Sequence, residues 1–294
     1  MRYRESWGER VVTVAIYGVL IGLAVLCLMP MLHVLSLSFS SATAAGAGKV
    51  DLWPVSFTTE AYEYALSKSE FTRSLMVSLK RVALGILVNM VLTVLVAYPL
   101  SKEDSIFPWR TAYVWIFVLT TIFSGGLIPL YMVVRELELL NSIWALILPN
   151  AVPVFNVVLL VNFFRALPRE LEEAAFIDGA GHWEVLWRVY LPLSLPALAT
   201  LTLFTFVVHW NSWFDGLIFM NSPENYPLQS YLQTLVIAQD SMQFSDADPR
   251  LLQLVSAQTF KAAQIFLGAI PILLVYPFLQ RYFVKGIVLG SVKG

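Results

Sequence analysis

VALGILVNMVLTVLVAYPLS, residues 82–101, runs for twenty residues without an Asp, Glu, Lys or Arg. A helix rises about 1.5 Å per residue, so a run of this length crosses the ~30 Å hydrocarbon core of a bilayer. Its flanks are Lys80-Arg81 and Lys102-Glu103, so charge stops where lipid would begin. Five other runs lack charge in the same way: Val11–Gly48, Thr111–Val134, Leu139–Phe164, Val189–Phe214 and Ala262–Gln280. Lipid gives a peptide group no hydrogen-bond partner, so each run is expected to be a helix.

The fold class that follows is an all-α polytopic membrane protein with six transmembrane helices. The spans are expected at about 11–36, 78–101, 111–134, 141–164, 194–217 and 262–281. Residues 11–284 would form one transmembrane domain, between a terminal segment 1–10 and a tail 285–294. Composition agrees: 58% of the 294 residues are hydrophobic, 13% are charged, and the mean hydropathy is +0.70. Soluble domains carry roughly 25% charged residues. A net charge of -1 lacks the basic footprint of a nucleic-acid binder. The single cysteine, Cys27, excludes an intrachain disulfide and a cysteine-based metal site. His33, His182 and His209 show no ligand spacing, so no metal site is expected.

An even number of spans puts both termini on one side. Lys and Arg divide eleven to eight in favour of that side, and the tail RYFVKGIVLGSVKG (281–294) has three cations and no acid. The excess places both termini in the cytoplasm. The apolar part of the first run persists to about Leu37, longer than the apolar region of a cleaved signal, so it is read as a retained span. Pro30, Gly125-Gly126, Pro129, Pro149 and Pro153 interrupt the spans, where kinks are expected. The segments 38–70 and 217–261 are long and external; each would fold on itself or dock a soluble partner.

Between the fourth and fifth spans lies a charged segment, 165–193, containing EEAAFIDGAGHWEVLWRVYLPL (172–193). Pro168 suits a helix start, and Glu170, Glu172 and Glu173 complement the dipole of its first turns. Gly179 suits a left-handed C-cap. A second helical piece is expected from about His182 to Tyr190, ended by Pro192. The small residues Ala174, Ala175 and Gly179 suit insertion into a groove on another protein. An amphipathic helix lying on the bilayer is the competing account, but anionic lipid would repel the clustered acids.

Glu173-Ala174-Ala175, three residues, Gly179, nine residues, then Val189-Tyr190-Leu191-Pro192 resembles the EAA motif of ABC importer permeases. The family pattern ends in Ile-x-Leu-Pro, and this chain departs from it only at Val189. GGLIPLY (125–131), LNSIWALILP (140–149), PLSLPALATLTLF (192–204) and the ending YFVKGIVLGSVKG are similar to the carbohydrate-uptake branch, maltose-permease-like inner-membrane proteins that import oligo- or polysaccharides. The resemblance implies the type I importer permease fold, with 165–193 as a cytoplasmic coupling helix between spans four and five. It implies that Glu173, Ala174, Ala175 and Gly179 dock on a cytoplasmic ATPase and that Leu191 and Pro192 set the exit into span five. It also implies the partners: a second related permease, two ABC ATPases that hold ATP and Mg, an external solute-binding protein, and a carbohydrate substrate. The branch takes neutral chains and acidic, alginate-type ones, and the sugar's charge stays open.

Two other features need weighing. Gly46-Ala47-Gly48-Lys49 suggests a phosphate loop, but Thr43 and Val50 stand where that pattern needs Gly and Ser/Thr, so no nucleotide site is expected in this chain. Asn156 and the cluster His209, Trp210, Asn211, Trp213 and Asp215 could line a sugar path; an interfacial aromatic belt and interhelical hydrogen bonds are the structural account. No catalytic constellation is visible, so a transport subunit rather than an enzyme is expected. An ion-coupled secondary transporter is the alternative, and it would want ionisable residues inside the spans.

Overall fold

The computed structural model describes residues 7–237 and 256–291. All regular structure among the described residues is helical. The chain divides into two units: one takes in residues up to Ser69 together with Leu235–Ala269, the other Glu70–Thr234 and residues from Ile270 on.

In the first unit, α1 (Trp7–Ser38) contains Pro30 without breaking. The loop after it folds back on the helix end. Ser36 Oγ donates to Leu52 O at 2.6 Å, the Ser38 and Tyr62 hydroxyls meet at 2.6 Å, and Phe39 stacks on Phe57. The loop carries a short helix α2 (Ala42–Gly46) and α3 (Glu60–Ser67). Tyr64 and Ala65 of α3 pack against Phe260 and Ala263. This loop, expected to fold on itself or to dock a soluble partner, makes these contacts within its own unit.

The second unit is organised by α4 (Ser69–Ser101). Ser74, Ser78, Arg81, Gly85, Asn89, Thr93 and Ala97 are all buried, and their spacing of three or four places them on one face. The helices that follow are α5 (Arg110–Ile122), α6 (Leu127–Glu136), α7 (Val154–Arg165), α8 (Arg169–Ile177), α9 (His182–Val185), α10 (Leu191–Leu193), α11 (Leu195–Asn211), α12 (Phe214–Phe219) and α13 (Leu228–Ile237). The last helix, α14 (Ala257–Ser291), belongs to the first unit up to Ala269 and to the second from Ile270, and contains Pro271 and Pro277. The largest core joins Ala97 and Leu100 of α4 to Leu160 and Phe164 of α7, Leu186 and Tyr190, and Leu201 of α11.

Three helices among the described residues are long and apolar enough to cross a membrane: 10–38, 69–101 and 257–275. Three bent pairs qualify if each counts as one span. Arg110–Ile122 with Leu127–Glu136 turns by 114°, Ile143–Asn150 with Val154–Arg165 by 50°, and His182–Leu193 with Leu195–Asn211 by 80°. The first break lies at Gly126, whose φ of +87° is left-handed and open to glycine at little cost. The second lies between Pro149 and Pro153, where two backbone donors are missing. The expected interruptions at these sites are therefore full bends.

The third break differs from expectation. The helix does not stop at Pro192. Leu186–Tyr190 forms a wider π-turn, the helix runs through Pro192 to Leu193, and the chain turns at Ser194. A π-turn displaces the i→i−4 register, which relieves the clash of the proline ring with the preceding turn. Pro196 then occupies the start of α11, where its missing N–H is harmless.

Arg81 is buried inside the fold rather than exposed at its outer edge. It is 2% exposed and forms a two-pronged ion pair with Asp215 at the start of α12. Asp215 Oδ1 also accepts from Ser212 Oγ and Gly216 N at 2.9 Å. Asn156 Nδ2 donates to Thr205 Oγ1 at 3.2 Å and links α7 to α11. These two interactions should differ in weight. Asp215→Asn strands a buried guanidinium and should destabilise the protein by about 3–5 kcal/mol. Thr205→Ala removes a neutral interhelical bond, worth about 0.6 kcal/mol in membranes. Thermal melting of the detergent-purified protein should show a large fall for the first and almost none for the second.

Candidate functional site

The segment between α7 and α11 is built from residues that suit its turns. Pro168 precedes α8, with Glu170 and Glu172 in the first turn. Gly179 has φ +88°. Its N–H donates to Phe176 O and the Ala180 N–H to Ala175 O, both at 3.0 Å. This pair of bonds is a Schellman ending, which satisfies the last carbonyls of α8 and requires a left-handed residue at position 179. A Cβ at Gly179 would touch nothing within 4 Å, so backbone conformation rather than space selects glycine here.

The expected partner-facing residues do not share one face. Glu173, Ala174 and Gly179 are exposed, whereas Ala175 turns inward with Phe176 and Ala180 against the core of the second unit. The exposed face continues through Leu171 and Ile177, which is 86% exposed, and the turn beyond adds Trp183 and Trp187, 6.3 Å apart. Leu191 is half-buried and Pro192 exposed, two residues before the turn into α11.

Behind α8 lies a feature that no single stretch of sequence revealed. Lys102, the residue after α4, is 5% exposed and reaches Glu172 Oε1 at 2.5 Å. The other carboxylate oxygen of Glu172 accepts from the Tyr190 hydroxyl at 2.5 Å. The Lys102 ammonium sits 4.1 Å from the ring centroids of both Tyr98 and Tyr190. The two rings meet edge to face at 5.2 Å, and the Tyr98 hydroxyl lies 3.3 Å from His182 Nδ1. Burial pulls the Lys102 pKa down, and the hydrogen bond and charge of Glu172 partly offset it. Two exposed or half-exposed pairs flank the cage, Arg169 with Glu103 and Arg110 with Asp104.

The candidate path residues are placed as follows. His209 is buried and packs on Gly85, where an added Cβ would lie 2.5 Å from its Nε2. Trp210 is buried and stacks parallel to Phe206. Asn211 and Trp213 are exposed, Asp215 is committed to Arg81, and Asn156 to Thr205. The cage and the Arg81–Asp215 pair both escaped sequence reasoning because their partners are 70 and 134 positions apart. One signal was available for Arg81. It lies on the stripe of small and polar residues along α4, a face too polar to meet lipid.

Residues 82–289 match the family described as binding-protein-dependent transport system inner membrane component. A curated relative from Bacillus subtilis (strain 168), the polygalacturonan/rhamnogalacturonan transport system permease protein YtcP, is 41% identical over 97% of this chain and 99% of its own. Protein LplC of the same organism is 39% identical over 93% of this chain and 92% of its own. Among solved structures, a chain of a bacterial ABC transporter that imports the acidic polysaccharide alginate superposes with TM-score 0.87. It is 33% identical and covers 95% of this chain and 99% of its own. A chain of an alginate ABC transporter in complex with its pentasaccharide-bound periplasmic protein superposes at 0.58 with 16% identity, which speaks to the fold alone.

The buried and exposed acids of α8 should separate in a stability measurement. Glu172→Gln weakens two part-buried hydrogen bonds and leaves the buried Lys102 without a counter-charge, costing about 2–4 kcal/mol. Glu173→Gln alters a solvated position and should stay within about 0.5 kcal/mol of the parent. Thermal melting of the two variants side by side checks this.

Proposed function

We infer what this chain does from one premise: it belongs to the binding-protein-dependent transport system inner membrane components. It is a permease subunit of a carbohydrate ABC importer, a transport protein rather than an enzyme, of the bacterial inner membrane. The observation that carries this is near-complete coverage by a polygalacturonan/rhamnogalacturonan permease and by a chain of an alginate importer, at 41% and 33% identity. Polygalacturonan and alginate are both built of uronate sugars, so the proposed substrate is an acidic oligosaccharide of the uronate class.

In this reading the three bent pairs each count as one span, giving six, with both termini in the cytoplasm. The chain forms half of a translocation path, and a second, related permease forms the other half. An external binding protein delivers the sugar. ATP and Mg bind to two separate ATPase subunits rather than to this chain. The exposed face of α8 is the coupling surface. Ile177, Leu171, Trp183 and Trp187 are too apolar to be left in water, and Glu173 and Ala174 lie among them. Large exposed apolar residues of this kind mark a protein contact. The small side chain at Ala174 lets a partner groove approach the α8 backbone, and Gly179 holds the turn that presents it. Closure of the ATPases then displaces α8 and switches the path between outward and inward access.

Two experiments test the reading. Ala174→Arg, at an exposed and unstrained position, should reduce co-purifying ATPase by about tenfold, the effect of roughly 1.4 kcal/mol at an interface. Undiminished co-purification would exclude α8 as the docking surface. In proteoliposomes with the binding protein, trigalacturonate should stimulate ATP hydrolysis and maltotriose should not. Stimulation by maltotriose alone would overturn the acidic substrate. Uptake that survives removal of the ATPase and collapses with a protonophore would overturn the importer reading altogether.

A further inference from the structure

The cage behind α8 joins two elements that are far apart in sequence. Lys102 is the first residue beyond α4, and Glu172 is in the first turn of α8. The connection is unusually complete for a single buried pair. One carboxylate oxygen takes the lysine, the other takes the Tyr190 hydroxyl, and Tyr98 and Tyr190 flank the ammonium at equal distance. Tyr98 is itself on α4 and Tyr190 lies in the π-turn that leads to α11. The end of α4 is gripped further by Arg165, which donates to Leu100 O at 3.0 Å, and by Arg110, which donates to Lys102 O at 3.2 Å. A loose loop would let α8 shift without α4. Here a shift of α8 alone would pull a largely buried carboxylate off a buried ammonium, a strongly unfavourable rupture.

We propose that the Lys102–Glu172 pair, held between the rings of Tyr98 and Tyr190, is the rigid joint that carries displacement of α8 into helix α4. The proposal rests on reading α8 as the segment that the ATPase moves. Glu172 and Lys102 are positioning residues in this scheme, since neither faces the docking surface nor touches sugar. Glu173, its exposed neighbour, faces outward, while Glu172 faces inward to α4, so adjacent acids divide docking from transmission.

The test reads movement of α4 directly and needs no knowledge of the sugar. Cys27 is replaced by Ser, and Lys80→Cys puts one thiol on α4 at an exposed position far from the cage. The complete importer, assembled with partners free of reactive thiols, is labelled with a water-soluble maleimide. Rates are compared without nucleotide and after trapping with Mg-ATP and vanadate. The two rates should differ by about fivefold, within the range of couplings carried between distant sites. Lys102→Met keeps an unbranched chain between the rings and removes the charge; it should abolish the difference while trapped nucleotide per complex stays unchanged. Tyr190→Phe keeps both rings, loses one hydrogen bond, and should give an intermediate ratio; it decides the matter if Lys102→Met does not assemble.

Three results would overturn the proposal. The first is a parent complex that traps nucleotide but labels at one rate. The second is a Lys102→Met or Tyr190→Phe complex that keeps the parent ratio. The third is a lower yield of assembled complex with the ratio intact, which is what a purely structural role predicts. A parent complex that traps no nucleotide, or an Ala174→Arg variant that still binds the ATPase, is a different result. It removes the docking premise, and this proposal with it.

Discussion

Two buried cations, Arg81 on helix α4 and Lys102 just beyond its end, stand 21 positions apart, roughly 30 Å along a helix. That is the thickness of the hydrocarbon layer. A cation held out of water needs a partner at once, and each finds a carboxylate from far along the chain: Asp215 for Arg81, Glu172 for Lys102. Between them Gly85, Asn89, Thr93 and Ala97 form a buried stripe of small or polar residues on α4. Close helix approach in lipid depends on such residues, because hydrocarbon supplies no hydrophobic drive between helices. The helix is thus tied to two different elements, and it cannot shift against either one without breaking an ion pair.

The bends answer to the same scarcity of partners. A helix can break at membrane depth only where freed backbone groups are satisfied by protein or lie at a polar boundary. In this chain the breaks fall at a left-handed glycine, at a pair of prolines, and at a π-turn followed by Ser194. The glycine takes a φ that ends a helix at little cost, the prolines lack a donor, and the π-turn shifts the register. The third break is also where the segment carrying α8 and α9 passes into α11, so the π-turn residue Tyr190 serves both the bend and the cage. A change of register there would disturb Lys102 as well as the direction of α11.

The exposed apolar face of α8 and the cage behind it give one short segment two different surroundings. Water tolerates Glu173 and Ala174 but not Ile177 and Trp183, and the interior tolerates Glu172 only because Lys102 and Tyr190 saturate it. The helix is held against its own protein on one side and left unsatisfied on the other.

Much of the class was legible in sequence. The uncharged runs marked the apolar helices, because peptide groups in lipid leave a long apolar run no alternative to helix. The glycine at 179 and the acids at the start of α8 were legible for local reasons, since caps and dipoles act within one turn. What the tertiary structure alone decided was which of those residues turn inward. Two glutamates stand side by side at 172 and 173, identical in composition and propensity, yet one is the centre of a buried cage and the other is solvated. The same holds for Arg81, which at the edge of an apolar run looks like an ordinary boundary cation until Asp215 is brought to it. A charge's role depends on the partner that folding brings within about 3 Å, and the separation of 70 or 134 residues hides that partner from any local reading.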